Sequence, residues 1–391
     1  MKKRTLSLLA AFVCGLFTLS CEKTPNENGG EEPEPQKETV KIYAVGYESN
    51  AGDIPNAVLW EGSEKKNLTD GAVSSIATSV CVDGKDVYVV GCKKVVEEDG
   101  GIPGGAQEAI MWFSGGETLL SDGGLFGEAR KVFLSGDKVY IIGSVKDGNY
   151  YRGVMWENSN PRIITGKYSN MGFYAMYISG QDTCVGGAMT QQNEDLLNFD
   201  KDFPQFTQTL DYTNPDVAWS GITFGQNGAI YCINGDEGNV YMCGVSEKNK
   251  TLEDGTATNS PFRATVWKYS PVSDEYWKDA AFLTDGTTES KAFSLIVSGT
   301  TYYAVGFEKN AEGKKIAKLW ETGKNAVVLS QKESCAYCIT KVGEDIFVGG
   351  FDTNDAGKRV AVIWKNGEVF KTLSDGANNS EIRSFIIEEL K

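Results

Sequence analysis

The amino-acid sequence predicts an all-β protein, a seven-bladed β-propeller of four-stranded antiparallel blades closed by pairing of its N- and C-terminal strands. Three observations point there. A tryptophan recurs in one apolar context, an apolar strand ending in glycine precedes each recurrence, and the chain starts and stops at complementary points of the repeating unit. The length of 391 residues exceeds the roughly 250–300 at which a single core stops growing, so the chain is either two domains or one large repetitive one. Glycine is abundant at 45 and proline sparse at 10, as in a turn-rich β protein.

The tryptophan motif places Ala57, Ala109, Gly153, Ala264, Ala317 and Ala361 three residues before Trp60, Trp112, Trp156, Trp267, Trp320 and Trp364. The tryptophan spacings are 52, 44, 111, 53 and 44. The long one is two periods, and Phe199 is expected to fill the missing slot. The strand-glycine marker ends at Gly46, Gly91, Gly143, Gly186, Gly244, Gly306 and Gly349, which gives seven units. A third marker, Leu-[Ser/Thr]-Asp-Gly, centres on Asp70, Asp285 and Asp375, with Asp122 in a similar context. Seven residues after each aspartate comes the expected first core position of the next strand: Ala77, Ala129, Ala292 and Ile382.

Each unit therefore reads as four short strands, in the second unit over 77–82, 87–91, 109–112 and 118–120. Asp83-Gly84, Gly115-Gly116 and Asp122-Gly123 supply the turn chemistry between them. The chain begins on a second strand at 40–46 and ends on a first strand at 384–390, so its termini are expected to complete one blade and remove two open edges.

The pattern A-x-x-W-x-x-G, then Leu, a strand, Gly and V-x-V-G, resembles the HAF-type extracellular repeats over nearly all of 40–391. The histidine of that repeat is replaced here by Asn56, Glu108, Arg152, Arg263, Ile316 and Val360. The resemblance implies a blade architecture and an extracellular location.

The N-terminus reads as an address. Lys2, Lys3 and Arg4 precede an apolar run from Leu6 to Phe17 that is too short to span a membrane. Thr18-Leu19-Ser20-Cys21 resembles a bacterial lipobox, which implies cleavage before Cys21 and a diacylglycerol on its sulfur. Residues 1–20 are thus expected to be a lipoprotein signal peptide, 21–38 an acidic flexible tether and 39–391 the propeller. The tether has no hydrophobic residue with which to build a core. Acidic residues after a lipidated cysteine resemble the surface-export signal of Bacteroidota lipoproteins, implying an outer-membrane protein anchored by lipid alone and exposed at the cell surface.

Composition narrows the function. The chain has no histidine, which removes Ser-His-Asp triads, Cys-His dyads and His-ligated metals. A net charge of −15 disfavours nucleic acid and anionic membrane surfaces as partners. No cofactor is expected. Of nine cysteines, Cys14 leaves with the signal and Cys21 takes lipid. Cys232 and Cys243 flank a hairpin turn as cross-strand partners, whereas alternation along a strand separates Cys335 from Cys338.

Long insertions at 93–107, 246–262 and roughly 211–228 all emerge on one propeller face, where binding residues tend to gather. Trp219, Tyr212, Phe126 and Tyr174 fall there and suit sugar stacking, with packing of the channel as the alternative use. Asp70, Asp122, Asp285 and Asp375 form either an acidic ring able to hold a cation or a set of Asx turns. The repeated tryptophans are expected to pack between blades. The leading functional expectation is a surface protein that captures a glycan or small nutrient, with an outer-membrane transporter or other surface protein as its partner. The alternatives are a protein-interaction or structural component of an outer-membrane complex, and a His-independent glycosidase or lyase, for which no carboxylate pair stands out.

Overall fold

The structure is a computed structural model that describes residues 40–95, 106–121, 127–148, 150–163, 170–179, 182–190, 228–236, 239–246, 250–251, 257–258, 261–269 and 280–390. Alternating apolar residues and glycine-bearing hairpins give short antiparallel strands throughout. The second unit shows the pattern: Ser75–Asp83, Asp86–Lys94, Gln107–Phe113 and Gly116–Leu119, hydrogen-bonded in that order.

Among the described residues there are six such four-stranded blades, not the seven expected. Of the fourth unit, the described residues comprise Asn170–Ser179 paired with Asp182–Thr190. This is the unit without a Trp strand, and Phe199 lies outside the described residues. The last strand, Ser380–Glu389, pairs antiparallel with the first, Val40–Ser49, with Ile42 opposite Ile387 and Ala44 opposite Phe385.

The core is divided into layers between neighbouring units. Trp60, Trp112, Trp156, Trp267, Trp320 and Trp364 are all buried, and each packs against the preceding unit. Trp364, for example, meets Val305, Ala317 and Leu319 of the sixth unit. Trp156 also donates from Nε1 to the Leu120 carbonyl of the blade before it, at 2.7 Å. The tryptophans are structural, in keeping with their large apolar area.

The motif alanines close the joint between blades. Ala57, Ala264, Ala317 and Ala361 are fully buried, and each accepts a hydrogen bond from the backbone N–H of Leu68, Leu283, Leu329 or Leu373, the residue just past its own outer strand. Each donates its N–H to a serine on the next inner strand, Ser75, Ser290, Ser334 or Ser380, at 2.9 Å. In three of these joints the hydroxyl of Thr69, Thr284 or Ser374 bonds that same serine. The Leu-[Ser/Thr]-Asp-Gly motif is thus a staple from one outer strand to the next inner strand. Ser380→Ala is expected to leave the buried Ala361 N–H unpaired and to cost about 1–2 kcal/mol in a urea titration, with Ser374→Ala costing less. Equal costs would show that the bond to Ala361 is not the one that matters.

Cys232 and Cys243 stand directly opposite in the fifth blade. Cys335 and Cys338 separate into different clusters, one with Phe293 and Phe351, the other with Ile363 and Phe385. Burial pushes both of these thiols up to about 12.

Candidate functional site

The inner strand of every unit is irregular at one equivalent point. Its register against the second strand skips one residue: Arg383, Thr78, Arg130, Tyr174, Tyr231, Phe293 and Tyr337, taking the units in order. A bulge leaves its extra residue unpaired and re-aims the side chain. Here all seven bulged residues line a single cavity of about 290 Å³.

The glycine of the strand-glycine marker makes the bulge fit. A Cβ on Gly46, Gly91, Gly143, Gly187, Gly244, Gly306 or Gly350 would overlap the carbonyl oxygen two residues before the bulge, at Glu381, Ile76, Glu128, Gly172, Ala229, Lys291 or Cys335. No side chain other than hydrogen leaves room for that approach. In the fourth and seventh units the required glycine is the second of a pair, Gly187 and Gly350, one residue beyond the marker read from the sequence.

Around the cavity the seven positions divide by chemistry. Tyr174, Tyr231, Phe293 and Tyr337 form a continuous aromatic arc, with successive ring centroids 5.7, 5.3 and 5.3 Å apart and tilted by 37–47°. An arginine closes each end. The Arg130 guanidinium lies 4.6 Å from the Tyr174 centroid and that of Arg383 lies 4.2 Å from Tyr337, within cation–π range. Between the arginines sits Thr78, whose hydroxyl donates to the Ala129 carbonyl at 2.7 Å.

Each arginine is held by a glutamate two residues earlier on its own strand. Arg130 pairs with Glu128, which is 1% exposed. Arg383 Nη2 lies 2.8 Å from Glu381, which is fully buried and also accepts from Arg359 and from the Tyr47 hydroxyl at 3.0 Å. Buried ion pairs with this many partners fix geometry more than they add stability. Burial raises the Tyr174 phenol above its ordinary value against the opposing pull of Arg130, so its hydroxyl stays protonated. Gln107 is 3% exposed and lines the cavity, and its Nε2 has no hydrogen-bond partner among the described residues.

The cavity reaches the strand ends next to the first insertion. Lys94 and Gln107, which bracket the 93–107 insertion, both line it, as do Ser74 and Ser75 at an outer-to-inner connection. Of the residues singled out from the sequence, Tyr174 lies in the arc. Trp219, Tyr212, Phe126 and Asp122 lie outside the described residues, as does Cys21, expected from the sequence to take lipid. Asp70, Asp285 and Asp375 are exposed, are not among the cavity-lining residues, and each accept from the backbone N–H two residues on at 2.9 Å. These are Asx turns, with Gly71, Gly286 and Gly376 following at φ of 75–79°. For Asp285 the bonds from Thr287 lower the carboxyl pKa.

The other six bulge residues escaped the sequence reading, although a signal for four of them was present. Thr78, Arg130, Phe293 and Arg383 each sit eight residues after a motif aspartate, one beyond the predicted core position. Strict alternation would send that next residue to the opposite, blade-facing side, and only the bulge turns it to the channel.

No protein family matches the chain, and no curated protein matches it. Solved structures do. A puromycin-hydrolysing peptidase of Mycobacterium tuberculosis is 10% identical with a TM-score of 0.50, over 85% of this chain and 53% of that one. The β-propeller domain of the Trilobed protease of Pyrococcus furiosus is 13% identical with a TM-score of 0.41, over 86% and 99%. A GH43 endo-arabinanase of Bacillus licheniformis is 10% identical with a TM-score of 0.33, over 63% and 92%. The chain spans about half the length of the peptidase it matches. At these identities the likeness is one of fold, and that fold is a β-propeller of four-stranded antiparallel blades.

Proposed function

We propose that the chain is a binding protein, lipid-anchored through Cys21 at the outer face of a bacterial outer membrane, and that it captures a glycan or small nutrient in the central cavity. The observation that carries this is the arc of four aromatic rings closed at both ends by arginines around one cavity. Ligand pockets commonly combine an apolar wall with a few placed polar groups. The volume of about 290 Å³ is at the low end of the usual range of roughly 300–1,000 Å³, which suits one or two sugar rings rather than a polymer. The kinship with HAF-type repeats and the sealing of a ring by the paired terminal strands belong to the same reading.

A catalytic role receives less support. A glycosidase needs two carboxyls flanking its substrate, and among the described lining residues Glu128 is the single carboxylate and is ion-paired. A protein-interaction role draws on exposed apolar side chains along the outer strands, such as Leu119, Ile163, Val369 and Phe370, but these are spread over separate blades.

The test is a glycan array and nutrient panel on the full chain in detergent, followed by Tyr231→Ala, Tyr337→Ala and Trp219→Ala on any hit. The expected result is a hit weakened about tenfold or more by either tyrosine change. A hit indifferent to both, or no hit across the panel, would move the function off this cavity and toward a protein partner.

A further inference from the structure

We propose that the ligand of the central cavity carries a carboxylate, and that the class it belongs to is acidic sugars. This rests on the reading of the cavity as a binding site and adds the charge of what it holds. The chain carries 53 acidic and 38 basic side chains, so a lining drawn without bias would be acidic. The described lining is the reverse: Lys94, Arg130, Lys131 and Arg383 stand against Glu128 alone. Low-dielectric walls lined by one sign of charge concentrate the opposite ion.

The placement is specific as well as the sign. In ring order Arg383 and Arg130 flank Thr78, the smallest side chain of the seven, while the aromatic arc fills the other side. The cavity is therefore polarised, with a cationic wall facing an apolar one. The buried glutamates fix each guanidinium, so little side-chain entropy remains to be lost on binding. Lys94 and Lys131 have no ion-pair partner among the described residues, so the cationic excess is not cancelled by them. The unpartnered Gln107 amide adds a hydrogen-bond donor to the same cavity. A planar carboxylate matches a guanidinium fork, and the pyranose ring that bears it meets the aromatic wall. A neutral sugar would use the second wall and leave the charges of Lys94 and Lys131 unmet.

The experiment is calorimetric titration of the full chain in detergent with digalacturonate and with its uncharged digalactose counterpart, at low and high salt. The uronate is expected to bind about tenfold tighter or more, as charge-assisted hydrogen bonds do, with the margin shrinking as salt rises. Lys94→Gln with Lys131→Gln should remove most of that margin. Because Arg130→Gln alone strands Glu128, the paired change Glu128→Gln with Arg130→Gln, which removes both charges, is the second variant. Equal or tighter binding of digalactose, abolished by Tyr337→Ala, would overturn the charge assignment and leave the binding site standing. Uronate binding untouched by both charge variants would also overturn it. Failure of both sugars to bind would overturn both readings.

Discussion

Gly306→Ala is expected to destabilise the protein by about 3 kcal/mol or more, at the upper end of overpacking costs. A new Cβ there would overlap the Lys291 carbonyl oxygen and crowd the Ala292 Cα. Both are backbone atoms of a paired inner strand, so neither can move aside by a rotamer change. Relief requires straightening the bulge at Phe293, which would withdraw that ring from the cavity and shift the register of Ser290–Ser298. The matched control is Gly299→Ala, in the hairpin turn of the same blade. Gly299 has φ of 61° and nothing within 4 Å of a built Cβ, so alanine there meets only the left-handed backbone cost of about 1–2 kcal/mol. Urea denaturation of the two variants separates the explanations. Equal losses would mean that conformational freedom, not the close approach, is why glycine recurs at the strand end.

Trp364→Ala is expected to cost about 3–5 kcal/mol, the range for emptying a large buried aromatic site. Trp364 is fully buried and joins the sixth and seventh blades through Val305, Leu319 and Val348. Deleting it opens a void between two sheets that are themselves held in a circuit of neighbours, so the walls cannot collapse far. Trp364→Phe should be mild by comparison. The Trp364 Nε1 is buried without a hydrogen-bond partner among the described residues, and phenylalanine removes that donor while keeping most of the apolar volume. Thermal unfolding of both variants checks this, and a phenylalanine variant as weak as the alanine one would show that the indole N–H has a partner after all.

Much of the frame was legible because its signals are local. Ala77, Ala129, Ala292 and Ile382, chosen by counting from a turn aspartate, are each fully buried. The tryptophans read as interblade packing are interblade packing. The blade count was not legible, because a unit without its tryptophan gives no periodic cue to whether a third and fourth strand form. The site was legible only at Tyr174. Its other members depend on a backbone irregularity, and a two-residue alternation has no place for a residue that belongs to neither face. What marks that irregularity is the glycine across the ladder, a residue easily read as a strand terminator. The aspartates drew attention by recurring, yet at Asp70, Asp285 and Asp375 they recur because the outer-to-inner turn there needs the same backbone N–H caught.

Of the seven bulged residues, Thr78, Arg130 and Arg383 lie outside the apolar clusters, while Tyr174, Tyr231, Phe293 and Tyr337 belong to two clusters that join neighbouring units beside the channel. The frame is written in tryptophans, alanines, serines and glycines, and the lining in one bulged position per unit. Thr78 belongs to no apolar cluster and has no buried charge to satisfy, so exchange of its side chain changes what the cavity can hold before it changes whether the chain folds, whereas each arginine exchanges only together with its buried glutamate. The protein thereby behaves as a holder whose lining is reset singly at one position and pairwise at two others. Two charges, one hydroxyl and four rings are one setting of it, and other ligands lie a few such substitutions away from the present one.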